Sequence, residues 1–352
     1  MTLPIAFAVP GALTTQTGGS FFDRRLVESL RAVGNAVEVV TLPEGFPFPS
    51  SDAEDLSLGL LQRVSSEAVL IVDGLAFGAL PTAGLAALRA PLVALGHHPL
   101  ALETGWDAET SERLWRLERD NLRLARHVLV PSPHTKRVLV SRYEVPEAAI
   151  TVLEPGIDRP PPAPAAPLHP PLILSVGLLH PRKGHDVLIE ALARVIEVEW
   201  QAVIVGTPWD ADHVAMLERR VADPALQGRV RLAGAVSAQE RDGLYRQASL
   251  FALATRYEGY GIVFNEALVH GVPILSCLTG AVPDTVPEAA GILVPPDDPE
   301  ALAGALRQVL CDPVQRAAMA GAALRAGAAL PSWQDVAGRA AVVLERVREG
   351  RK

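Results

Sequence analysis

Leu250-Phe251-Ala252-Leu253-Ala254-Thr255-Arg256-Tyr257-Glu258-Gly259-Tyr260-Gly261-Ile262-Val263-Phe264-Asn265-Glu266 changes character halfway along its length. The run Leu250 to Ala254 is apolar and strand-sized. Gly259 and Gly261 permit a tight turn, and an apolar helical stretch, Val263 to His270, follows. A strand that turns straight into a helix leaves that helix's first amides, Tyr260 to Val263, without intrahelical partners. Such an N-terminus favours an anion. Glu258 lies on the turn and Glu266 eight positions later, inside the helix.

The same strand-then-helix rhythm extends in both directions. Before a proline-rich seam at Arg159 to Pro171, strands are predicted at Ile5 to Val9, Val37 to Thr41, Ala68 to Val72, Leu92 to Leu95, Val128 to Val130 and Ile150 to Leu153. Helices are predicted at Phe21 to Val33 and Thr110 to Arg126. After the seam, strands are predicted at Leu172 to Val176, Gln201 to Val205, Val230 to Leu232, Leu250 to Ala254 and Pro273 to Ser276. They alternate with helices near His185 to Ile196, Ala211 to Val221, Ala238 to Ala248, Val263 to His270 and Pro299 to Leu310. Short apolar strands separated by helices imply parallel sheets covered on both faces. The chain therefore reads as α/β, with two doubly wound Rossmann-like domains facing a central cleft. The first is expected over 1–158, the linker over 159–171 and the second over 172–330, with a closing helix in 331–352 that starts at Pro331-Ser332.

Composition excludes several classes. A formal net charge of -8 and a pI near 5.6 argue against a nucleic-acid partner. Two cysteines, Cys277 and Cys311, make no disulfide framework, and Cys277 lies in an apolar run. The N-terminal residues lack a basic signal-peptide region, and Val69 to Leu88 is broken by Asp73, Pro81 and three glycines. A cytoplasmic location is expected. The arginines at 113, 116, 119, 123 and 126 read as a solvated helix face interrupted by Glu112, Glu118 and Asp120. Peripheral contact with an anionic membrane is the less favoured reading.

In open parallel sheets ligands bind beyond the carboxyl ends of the strands, so the residues just after each strand carry the chemistry. Strand Leu172 to Val176 runs into Gly177-Leu178-Leu179-His180-Pro181-Arg182-Lys183-Gly184, whose cations suit a phosphate; a solvated loop is the plainer alternative. Gly206 follows the next strand and allows close backbone approach. Asp210 and Asp212 match an Asp-x-Asp metal pattern but head a helix, where a capping acid is expected anyway, so no metal is assigned. Glu258 can reach a reacting sugar while Glu266 bonds a vicinal diol such as ribose; both are alternatively ordinary helix-start acids. In the first half, Gly18 and Gly19 lie in a loop after the first strand, and His97 and His98 follow Leu92 to Leu95.

These motifs resemble the retaining glycosyltransferases of family 4, which have the GT-B fold. The likeness is firmest over Leu172 to Leu310, in the Glu-x7-Glu element and the following Glu-Ala-Leu-x-x-Gly-Val-Pro. It is looser at Gly18-Gly19, His97 and Val130-Pro131-Ser132. The resemblance implies that Glu258 contacts the transferred sugar and Glu266 the ribose, with amides around Gly261, Ile262 and Val263 on the diphosphate. It further implies that Lys183 neutralises the leaving phosphate, Gly19 lets the first-domain loop approach, and His97, rather than His98, contacts the donor sugar. Arg182, Gly206 and Tyr260 complete the expected nucleotide-sugar set. The family usually has arginine directly after the glycine at 177; here that residue is Leu178, leaving Arg182 and Lys183 as the cations.

The implied function is metal-independent transfer of a sugar, with retention, from a nucleoside-diphosphate sugar to an acceptor hydroxyl. No cofactor is expected beyond the co-substrate, with UDP preferred over GDP. The acceptor is a glycan, a lipid or a small molecule. The alternatives are a nucleotide-sugar epimerase of the same fold, a solute-binding module of two α/β domains, and a catalytically silent sugar- or nucleotide-binding module.

Overall fold

The computed structural model describes residues 2–13, 17–103, 105–161 and 167–350. The chain divides into two compact units: Met1–Gly156 with Pro331–Lys352, and Ile157–Leu330. Residues 162–166 of the expected linker lie outside the described residues.

The first unit holds a six-stranded parallel sheet. Its strands are β1 (Pro4–Pro10), β2 (Ala36–Leu42), β3 (Val69–Asp73), β4 (Leu92–Leu95), β5 (His127–Val130) and β6 (Ile150–Val152), in the spatial order β2-β1-β3-β4-β5-β6. The second unit repeats the plan with β7 (Leu172–Val176), β8 (Gln201–Val205), β9 (Val230–Gly234), β10 (Ala248–Leu253), β11 (Ile274–Cys277) and β12 (Gly291–Val294), in the order β12-β11-β10-β7-β8-β9. All described pairings are parallel. Successive connections run to opposite sides of the first strand of each sheet. The strand order therefore reverses between β1 and β3 in one sheet and between β7 and β10 in the other, the places where such sheets open a crevice at their carboxyl ends.

The period of two along β7 sends its side chains into two separate cores. Ile173 joins Leu188, Leu192, Ile204, Leu250 and Leu306 on one face. Leu172 and Leu174 join Phe251, Phe264, Leu268 and Ala323 on the other. Burial on both faces explains why these strands read as continuous apolar runs rather than alternating ones.

Several elements differ from the sequence expectation. The first helix runs Gly18–Ala32 rather than from Phe21, because the Thr17 hydroxyl caps it by accepting the Ser20 amide at 3.1 Å. Gly18 and Gly19 thus belong to a helical first turn, not to a loop. Further helices stand at Ser51–Gln62, Pro133–Tyr143 and Pro313–Ala329, and β12 was not foreseen. The closing helix, Trp333–Arg348, packs on the Gly18–Ala32 helix, with the Trp333 ring edge-on to Phe21 and Phe22 at 6.0 and 5.5 Å.

Candidate active site

At the reversal point of the second sheet, two loops meet. The loop after β7 is held by His185, which is fully buried. Burial drives its pKa down to about 4, so the ring is neutral. Its Nε2–H then donates to the carbonyls of Gly177 and Leu178 at 3.3 and 3.2 Å. His180 accepts the Arg182 amide at 3.0 Å and starts a single 3₁₀ turn, Pro181–Lys183. Gly184 ends that turn at φ 63°, where a Cβ would collide with the Ala254 carbonyl oxygen. Only glycine lets the loop press this closely on the end of β10.

The loop after β10 is stitched to the first one. The carbonyl of Arg182 accepts the Arg256 amide at 2.8 Å. The Arg256 guanidinium forks onto Asp186 at 2.9 and 3.1 Å, also reaches Asp297 at 2.7 Å, and touches the Pro181 carbonyl. Such a planar fork fixes orientation as well as charge. The clamp brings Lys183 and Arg182 onto Glu258, which is only 4% exposed. Lys183 Nζ donates to Glu258 Oε1 at 2.5 Å, the Thr255 hydroxyl lies 3.0 Å from the same oxygen, and Arg182 Nη1 sits 3.7 Å from Oε2 while donating to the Tyr257 carbonyl at 2.9 Å. Burial alone would raise the Glu258 pKa; Lys183 and Arg182 outweigh it and hold the carboxyl below the ordinary range. Two cations around one carboxylate leave a net positive centre.

Glu258 and Glu266 sit in opposite environments. Gly261, at φ 89°, precedes the helix Ile262–Val269, and no side chain caps that N-terminus. One turn in, Glu266 Oε1 faces Arg241 at 3.2 Å, whereas its buried Oε2 has no hydrogen-bond partner among the described residues. Burial raises its pKa, only partly offset by Arg241. A buried acceptor without a donor is costly, and a diol hydroxyl would satisfy it. Two carboxylates pushed apart in pKa are suited to different tasks.

The structure places the other expected residues as follows. Gly206 directly follows β8, where a Cβ would strike the Gly177 carbonyl, so its glycine serves loop packing. Tyr260 points inward: its hydroxyl pairs with Asn265 at 2.9 Å, so its side chain is structural and only its backbone stays near the turn. Asp210 caps the Ala211–Val221 helix, accepting the His213 amide at 2.7 Å. His185, Thr255, Arg241 and the Arg256–Asp186 clamp were missed; each is a polar residue that the fold buries or pairs, and none carries a motif of its own.

In the first unit, His97 follows β4 and packs its ring against Gly19, with Phe22 edge-on at 5.5 Å. Its Nε2 lies 2.9 Å from Asp23 Oδ1 and 3.3 Å from Asp73 Oδ2. Neither aspartate was singled out from the sequence. His98 instead faces Glu103 at 3.1 Å. In the arginine-bearing helix Ala108–Leu122 and just beyond it, Arg116, Arg119 and Arg123 each pair with an acid, Glu112, Asp120 and Glu144 among them. No helix among the described residues is long and apolar enough to cross a membrane.

Residues 18–159 match the family model described as Glycosyltransferase Family 4, and residues 158–325 match that of Glycosyl transferases group 1. Among curated proteins, the chain is 33% identical over 184 residues to a GDP-mannose-dependent monoacylated alpha-(1-6)-phosphatidylinositol monomannoside mannosyltransferase of Corynebacterium glutamicum, covering 50% of this chain and 47% of that protein. It is 30% identical over 218 residues to a D-inositol 3-phosphate glycosyltransferase of Kineococcus radiotolerans, covering 54% and 50%. The matches thus span about half the length of these two relatives. Among solved structures, a sucrose-phosphate synthase from Thermosynechococcus elongatus superposes with a TM-score of 0.79 at 20% identity, covering 99% of this chain and 100% of that one. Anabaena HepE, solved with UDP and glucose, gives 0.75 at 18%, covering 97% and 99%. The two parallel sheets are those of the GT-B fold, and the chain belongs to glycosyltransferase family 4.

Proposed function

We propose that the protein transfers a sugar from a nucleoside-diphosphate sugar to an acceptor hydroxyl, with retention and without a metal. The observation that carries this reading is the net positive Lys183–Arg182–Glu258 centre at the reversal point of the second sheet, beside an uncapped helix start. That combination suits a diphosphate, the group that leaves. The second unit accordingly acts as the nucleotide-sugar domain and the first as the acceptor domain. Lys183 and Arg182 take the phosphates with the amides at Gly261, Ile262 and Val263, Glu266 takes the ribose diol, and Glu258 and His97 take the sugar. Arg182 supplies the second cation that Leu178 does not.

In the reaction, the acceptor oxygen bonds to the anomeric carbon on the face from which the diphosphate departs, as the carbon–phosphate oxygen bond breaks. The acceptor proton passes to the departing phosphate oxygen. Preorganised charge on the leaving group supplies most of the acceleration, so no side chain needs to act as a nucleophile.

The sequence favoured UDP. Two relatives, from Corynebacterium glutamicum and Mycolicibacterium smegmatis, are named as GDP-mannose-dependent mannosyltransferases, which counts against that preference and puts GDP first. The same names make a polyol or inositol-bearing acceptor the first class to try.

The test is a melting-temperature panel of GDP, UDP, GDP-mannose and UDP-glucose, followed by transfer assays. A ligand at a hundredfold excess over its Kd stabilises the native state by about 2.7 kcal/mol. A rise with a nucleoside diphosphate and acceptor-dependent turnover support the reading; no rise with any of the four rejects it. Isomerised sugar from donor alone would favour the epimerase.

A further inference from the structure

His97 is one of three acid and imidazole side chains that three different elements bring together at the reversal point of the first sheet. Asp23 comes from the second turn of the Gly18–Ala32 helix, Asp73 from the end of β3, and His97 from the residues after β4. Their carboxylate and imidazole atoms all lie within 4.8 Å of one another, the one such group of three among the described residues. Asp23 and Asp73 are buried, with side-chain exposures of 4% and 7%, while His97 keeps 21%. Phe22 and Gly19, which also pack against the ring, carry no charge.

Each carboxylate has a reason to stay where it is. Asp73 Oδ1 caps the short Gly74–Phe77 helix by accepting the Leu75 amide at 3.0 Å, which turns Oδ2 toward His97. Asp23 is fixed by its helix, whose Phe22 packs on both His97 and Trp333. One imidazole nitrogen is therefore committed to two acids. Nδ1 makes no hydrogen bond among the described residues, and the partial exposure of the ring leaves it able to meet a ligand.

We propose that Asp23 and Asp73 are positioning residues that hold His97 as an imidazolium, so that its Nδ1–H donates to a neutral hydroxyl oxygen of the transferred sugar. The proposal rests on the reading of His97 as a sugar contact. The ligand class follows from charge. A single imidazolium between two carboxylates carries no surplus positive charge, so the centre does not compete with Lys183 for phosphate. What it offers is one fixed N–H, and the group that uses this without bringing charge is a hydroxyl. Were the ring neutral with its proton on Nε2, Nδ1 would be a bare acceptor and the polarity of the contact would reverse. The acids are thus what sets the direction of that hydrogen bond. The surroundings agree: burial would lower the His97 pKa, but Asp23 and Asp73 outweigh it and raise it to about 10. Burial raises Asp23 to about 7 against the pull of His97, so its carboxylate charge forms as pH rises through neutrality.

The experiment follows the imidazole directly by nitrogen-15 NMR in the full-length wild type, Asp73→Asn and Asp23→Asn, with His97→Gln to assign the signal. In the wild type, His97 is expected to stay charged from pH 6 to 9. In either Asn variant, with one acid left beside the ring, its pKa is expected to fall from the wild-type value toward the ordinary histidine value of about 6.5. Asn keeps the Leu75 cap at position 73, so that variant retains the local fold, and Asp23→Asn repeats the test from a different element. In transfer assays with GDP-mannose or UDP-glucose, whichever turns over, kcat of the Asn variants should fall about tenfold between pH 6 and 8.5 relative to wild type. The KM for the donor should change little. A His97 that titrates below pH 8 with both acids in place overturns the proposal. If His97 titrates as expected but His97→Gln leaves kcat intact, the sugar contact fails and the charge arrangement stands alone, which separates the two readings.

Discussion

The reversal points of the two sheets carry mirror-image centres. In the second unit one buried carboxylate, Glu258, lies between two cations, Lys183 and Arg182. In the first unit one imidazole, His97, lies between two buried carboxylates, Asp23 and Asp73. The same sheet plan therefore presents opposite charge at equivalent addresses. One centre has positive charge to spare for a diphosphate; the other has a single oriented donor and none to spare. The fold supplies the address and the side chains decide the ligand, which is why a shared α/β plan alone names no substrate.

The largest expected effect breaks the second centre. Lys183→Ala should lower turnover several hundredfold, about 3–4 kcal/mol, as losses of preorganised charge do. Steady-state transfer assays read this, and a melt on the same sample separates it from unfolding, because the variant leaves Glu258 buried with a weaker partner. His97→Gln comes next, at about a hundredfold in kcat for one oriented donor. Its donor KM should hold, since phosphate binding lies with the other centre; a raised KM with unchanged kcat would reverse the division.

Smaller, but sharper as a contrast, is the response to pH. The His97 pKa is raised, so the stability it contributes is complete below its ordinary value and lost as pH rises through about 10. The Glu258 pKa is lowered, so its contribution is present above the ordinary carboxylate value and lost as pH falls through the lowered one. Denaturant melts across pH should show His97→Gln flattening the alkaline limb and Glu258→Gln the acid limb. Each is measured as a difference from wild type, so that other titrating groups such as Glu118, raised by burial to about 8, cancel. Both variants altering the same limb would break the comparison. The smallest effect is Glu266→Gln, which removes a charged acceptor worth about 1.5 kcal/mol. It should raise donor KM roughly tenfold with kcat nearly unchanged, read in the same assay.

How far the sequence exposed this arrangement depended on what kind of signal each part left. Strands β4, β7 and β8 match their predicted runs end to end, because burial on both faces leaves them almost wholly apolar, with Ser175 and Gln201 as the polar exceptions. The Glu258 turn was legible because glycines and acids fall together within a few residues. β12 was not, since Gly291 to Val294 is four residues with no alternation. The Pro313–Ala329 helix is rich in alanine and shows little face, so periodicity could not find it although Asp312 caps it. Gly18 and Gly19 read as a loop because helix propensity counts against paired glycines; the Thr17 cap overrides this in the first turn. Asp23 and Asp73 left no signal at all. They lie 50 residues apart, one on an amphipathic helix and one ending an apolar strand, and only the parallel register of β1 with β3 and of β3 with β4 brings them to His97.

The measurement that bears most directly on the two centres is calorimetric titration of GDP and UDP onto wild type, Lys183→Ala and His97→Gln. The nucleotide that binds wild type should lose at least tenfold in affinity for Lys183→Ala and keep its affinity for His97→Gln. Equal affinity for wild type and Lys183→Ala would contradict the assignment of the diphosphate to the Lys183–Arg182–Glu258 centre.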